Sequence, residues 1–116
     1  MLFRSNVRDQ ILASDPARTN VLTLSNAGIS QLPGEIGMLV NLQRLHLSGN
    51  RLTTLPPEIA NLTNLVALNL ANNCLSALPS ELMELRQLEI LNLENNELRE
   101  LPEEFAELDC WTSSNL

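Results

Sequence analysis

A chain of 116 residues has room for one small domain, and this one is built from 26 leucines and 14 asparagines, with no lysine and no tyrosine. Seven arginines against 14 carboxylates leave a net charge of -7, so there is no basic patch for a phosphate backbone or an anionic lipid surface. No apolar run approaches the roughly 20 residues of a membrane span, and Cys74 and Cys110 form neither a disulfide framework nor a metal pattern.

Arg4, Arg8 and Asp9 interrupt the amino-terminal segment before the apolar core of a signal peptide can build. Instead, Ser5 or Asn6 is expected to cap a helix that carries Val7, Ile11 and Leu12 on one face. Asp15-Pro16 then interrupts it. Residues 1–18 thus read as a capping segment, and a first strand is expected over Val21–Leu24.

From residue 19 the chain repeats every 23 residues, in the segments 19–41, 42–64, 65–87 and 88–110. The template is L-x-x-L-x-L-x-x-N-x-L-x-x-L-P-x-x-φ-x-x-L-x-x, with φ apolar. The second segment reads Leu42, Leu45, Leu47, Asn50, Leu52, Leu55, Pro56, Ile59 and Leu62. The third and fourth match it position for position, from Leu65 and Leu88 respectively. The first departs at Thr19 and Ala27. A single interior environment used repeatedly explains the leucine excess.

Leucines two apart point to one face of a short strand, and the residues between them point to the other. Stacked repeats pair these strands in parallel, and the Leu-Pro half of each repeat returns the chain. Asn50, Asn73 and Asn96 follow the strands where the chain turns inward. An amide there donates to and accepts from backbone groups, so these three form a structural asparagine ladder. Asn72 and Asn95, one position earlier, need no burial. Glu35, Glu58, Glu81 and Glu104 fall two residues after each Leu-Pro. With proline at the first position of a short helical turn, the carboxylate faces free N–H groups, and this local role outweighs a cation stripe.

The pattern resembles the leucine-rich repeat superfamily over residues 19–110. The 23-residue length with Leu-Pro resembles its intracellular subclass, which includes Ras-suppressor-type and Shoc-type scaffolds and plant intracellular Ras-group-related repeat proteins. The resemblance implies an α/β solenoid, with a short parallel β-sheet on the concave face and short helical or irregular turns on the convex face. It implies a non-catalytic protein–protein interaction module or scaffold in cytoplasmic signal transduction. Similar repeats also serve as substrate-recognition parts of kinases, GTPases and ubiquitin ligases, which is the alternative reading.

The surface for a protein partner is then the variable strand positions: Val21, Thr23 and Ser25; Arg44, His46 and Ser48; Ala67, Asn69 and Ala71; Ile90, Asn92 and Glu94. Among these Val21, Thr23, Arg44, His46, Asn69, Ile90, Asn92 and Glu94 are the candidate contacts. His46 has Thr23 and Asn69 in its column and no carboxylate to orient it, so no catalytic residue is assigned. No cofactor and no metal is expected. Cys74 falls at an exposed turn, and Asn61-Leu62-Thr63 is a glycosylation sequon that stays silent in the cytoplasm. Residues 81–116 sum to -8 and the rest to +1, an acidic end that aids solubility. Residues 111–116 read as a truncated fifth repeat or tail, with Trp111 in the leucine position. The last strand would be an edge open to self-association.

Overall fold

The computed structural model describes residues 7–99. Helix α1 (Val7–Ala13) precedes four strands, β1 (Val21–Thr23), β2 (Arg44–His46), β3 (Ala67–Asn69) and β4 (Ile90–Asn92). A 3-10 helix follows each of the first three strands: η1 (Gly34–Met38), η2 (Pro57–Asn61) and η3 (Ser80–Glu84). The strands form one parallel sheet in the order β1-β2-β3-β4. Val21 pairs with Arg44, Arg44 with Ala67 and Ala67 with Ile90, an offset of 23 at every step. This is the α/β repeat solenoid expected from the leucine spacing.

Only the middle residue of each strand points inward. Leu45, Leu68 and Leu91 are at most 1% exposed, and Leu22 at the first strand is half-buried. One residue beyond each strand, Leu24, Leu47, Leu70 and Leu93 add a second buried column. A single core therefore runs the length of the described stack. The first strand is one residue shorter than expected: Leu24 lies past its end, where its N–H donates to His46 O at 2.8 Å.

The return segments explain why the turns are 3-10 and not α-helical. Ile36, Leu39 and Leu42 are spaced by three and all fully buried; so are Ile59, Leu62 and Leu65. A helix of three residues per turn eclipses positions i and i+3, so this spacing lines up one apolar edge. Its hydrogen bonds span three residues: Ile36 N–H to Pro33 O and Leu39 N–H to Ile36 O, both 3.1 Å. The proline of each Leu-Pro pair does not occupy the first helical position as anticipated, although Pro57 does so in η2. Pro33, Pro56 and Pro79 are the capping residues, with φ near -71° and ψ of 144–153°. That extended ψ places them outside the helix while their carbonyls accept its first bond. The glutamates consequently stand second in each turn.

Helix α1 covers the first repeat and packs on η1. Ile11 is 1% exposed and Val7 packs at the core edge. Leu12, expected on the same face, is 52% exposed. Positions 7 and 11 are one helical turn apart, but 12 is rotated by a further ~100°. Arg8 pairs with Glu35 and so ties α1 to η1. The break at Asp15 is a turn in which Ala17 N–H donates to the Asp15 carboxylate at 3.0 Å. The expected cap at Ser5 or Asn6, the second half of the fourth repeat with Glu104, and the tail with Trp111 lie outside the described residues.

Candidate interaction surface

With the central leucines turned inward, the flanking strand residues form the open face of the sheet. Two columns run across it in register: Val21, Arg44, Ala67, Ile90 and Thr23, His46, Asn69, Asn92. Val21 and Ile90 are 52% and 59% exposed, the barest apolar side chains of the sheet. Arg44 and Thr23 are exposed; His46, Asn69 and Asn92 are half-buried. A third column follows the strands: Ser25, Ser48, Ala71 and Glu94. Ser48 Oγ donates to Ser25 Oγ at 3.2 Å, and Glu94 is exposed. Ala71 is buried, which removes it from the surface it was expected to share. Four strands at about 4.8 Å spacing make this face roughly 14 Å wide between its outer strands. A partner burying the ~800 Å² per side of a standard interface must also touch the flanking loops.

The loops that end the strands are held by the ladder asparagines, and each reaches backward. Asn50 Oδ1 accepts from Ala27 and Ile29 N–H, both at 3.0 Å, and its Nδ2 donates to Leu24 O at 3.0 Å and Leu47 O at 2.8 Å. Asn73 accepts from Leu52 N–H and donates to Leu47 O and Leu70 O. Asn96 repeats the pattern with Leu75 N–H, Leu70 O and Leu93 O. The side chains do not bond one another; each completes the turn of the repeat before it. Ala27 stands where no repeat precedes, so an amide there would have no turn to complete.

Two further columns escaped the sequence reading. Asn26, Gly49, Asn72 and Asn95 all have positive φ, between 55° and 72°. Glycine and asparagine tolerate that left-handed turn best, and their 23-residue spacing was the signal. Asn41 and Asn64, also 23 apart, donate to Pro16 O and Val40 O at 3.0 and 3.1 Å. Asn41 ties the first return segment to the capping segment, and Asn64 ties the second to the first repeat.

The remaining candidates are less surface than scaffold. The Glu35 carboxylate is bonded by Arg8 and by its own backbone N–H, and both hold its pKa below the usual carboxylate range. Glu58 lies against Gly34 and Gly37, where an added Cβ would meet Glu58 atoms at 3.0 Å. Among the described residues no group of three or more His, Cys, Asp or Glu could hold a metal ion. His46 faces Thr23 and Asn69 across the sheet, with no carboxylate in that column. Cys74 is half-buried and not exposed as expected, with its N–H donating to Leu52 O at 2.9 Å. No described helix is long and apolar enough to cross a membrane.

Comparison with known proteins agrees with this geometry. The leucine rich repeat family model matches residues 17–75 and again 40–98. A leucine-rich repeat protein of Leptospira interrogans is 29% identical with a TM-score of 0.54; the match covers 90% of this chain and 38% of that one. The functional domain of InlJ from Listeria monocytogenes, which includes a cysteine ladder, is 30% identical with a TM-score of 0.67 over 76% of this chain and 18% of that one. This chain therefore spans well under half the length of either structure. No curated protein matches it. Leucine-rich repeats are generally protein-interaction modules and typically non-catalytic. Repeat spacing, parallel register and family match together place the chain in the leucine-rich repeat family.

Proposed function

We propose that this chain is a non-catalytic scaffold or recognition module that binds a protein partner through the open face of its sheet. The observation that carries the reading is the asymmetry of the strands: one face is sealed by fully buried leucines, while Val21 and Ile90 stay more than half exposed on the other. Arg44, His46, Asn69, Asn92 and Glu94 carry the contact, with Val21, Thr23 and Ile90 around them. The 23-residue Leu-Pro period supports placement in the intracellular subclass, and hence cytoplasmic signalling. Affinity capture with the R44E/E94R double variant tests the surface. Loss of partners captured by the wild-type chain is the expected result. An unchanged set of partners would overturn the assignment of this face.

A further inference from the structure

The next step rests on the open face being the contact surface, and it concerns the chemistry that face accepts. An asparagine amide has one acceptor oxygen and one donor NH2. At Asn69 and Asn92 the oxygen is turned to the chain's own backbone, which fixes the orientation of the amide. Asn69 Oδ1 accepts from Ala71 N–H at 3.1 Å, and Asn92 Oδ1 accepts from Glu94 N–H at 3.0 Å. The NH2 halves are left wholly unengaged. Neither NH2, nor the guanidinium of Arg44, nor the ring of His46 has a hydrogen-bond or ion-pair partner among the described residues. The two serine hydroxyls beside this column are bonded to each other. The middle of the face is thus a patch of N–H donors on β2, β3 and β4, flanked by Val21 and Ile90.

Such a patch calls for acceptors. Arg44 and His46 stand two residues apart on one face of β2, about 6.5 Å between their Cα atoms, a span that one carboxylate can bridge. Glu89, Glu94 and Glu97 at the other end of the sheet are exposed and repel a second acid. We infer that the open face takes an extended peptide segment lying across the strands with one carboxylate side chain between Arg44 and His46. Its main-chain carbonyls accept from Asn69 and Asn92, and an apolar side chain covers Ala67 and Ile90. The acidic end lies over β2 and the neutral or basic end over β4.

A random octapeptide phage library selected on the immobilised full chain tests this. Enriched sequences are then synthesised with Glu at the acidic position and with Gln or Lys in its place. Binding is followed on 15N-labelled protein through the side-chain NH2 signals of Asn69 and Asn92. The expected result is a consensus with one Asp or Glu, about tenfold weaker binding with Gln, and movement of both NH2 signals. The R44Q variant should keep its circular dichroism and bind the Glu and Gln peptides equally. Enrichment of neutral or basic peptides that still move both signals would overturn the carboxylate assignment and leave the open-face reading standing. Shifts confined to the 3-10 helices would overturn both. A library with no enriched octapeptide would overturn this inference.

Discussion

Replacing Asn50 by alanine should destabilise the chain more than the same change at Asn73. Three backbone groups depend on it alone among the described residues: the N–H groups of Ala27 and Ile29 and the carbonyl of Leu24. Ile29 and Leu24 are buried, at 5% and 4% exposure, and water cannot replace the amide there. A buried group left unpaired costs about 1–3 kcal/mol, and the exposed Ala27 adds little, so N50A should cost about 3–5 kcal/mol. Asn73 is as deeply buried but better backed up. Its acceptors have second donors, since Leu47 O is also held by Asn50, Leu70 O by Asn96 and Ala71 O by Gly49 N–H. Only Leu52 N–H is orphaned in N73A, at about 1–3 kcal/mol. Urea unfolding followed by circular dichroism measures both. A domain of this size has about 5–15 kcal/mol in total, so N50A is already partly unfolded under conditions where N73A is native. Native-state hydrogen exchange adds a second readout: N73A should speed exchange at Leu52, and N50A at Ile29. If N73A proved as costly as N50A, the accounting by sole dependents would be wrong.

Three other outcomes follow from the geometry. Gly49→Ala places a Cβ 1.9 Å from Asn26 Oδ1 at a φ of +72°, so it should lower stability by at least roughly 1–2 kcal/mol, whereas Asn72→Gly at the equivalent position should stay within about 0.5 kcal/mol. Gly37→Ala meets Asn61 Nδ2 at 2.8 Å and Glu58 O at 3.0 Å between η1 and η2; thermal melts should show a loss of about 1–3 kcal/mol, and an unchanged midpoint would mean the two turns separate freely. The Glu35 carboxylate has a pKa lowered by Arg8, so its contribution is present above the ordinary glutamate pKa and fades as pH falls through the lowered one. The difference in urea midpoint between wild type and E35Q should accordingly be small, positive at pH 7 and absent in strong acid; a difference that persists there would assign it to packing.

The parts of this fold legible in the sequence are those where one residue type answers one environment. Leucine at two- and three-residue spacings specified the strand face and the return edge. Asparagine at 50, 73 and 96 marked the turns. The left-handed column was harder to see because two residue types satisfy it, asparagine at 26, 72 and 95 and glycine at 49. Leu12 misled because apolar character alone does not place a residue on a helical face, and Ala71 because its place in the repeat does not by itself set its exposure. The proline caps needed a ψ value, which no spacing supplies. The open face is the least legible part. Its residues answer to a partner and not to the repeat, so their types vary from strand to strand. What they offer becomes visible only when Asn69 and Asn92 are seen to turn their oxygens to the backbone and leave their NH2 groups free.

The backward reach of the ladder also gives the stack a polarity. During synthesis a repeat leaves the ribosome with its turn open, because the amide that closes it belongs to the repeat 23 residues later. Leu52 N–H waits for Asn73, and Leu75 N–H for Asn96. Each new repeat therefore locks its predecessor and exposes an unfinished turn of its own. An in-frame removal of one or more whole 23-residue repeats would preserve that relay, where a removal out of that period would break it.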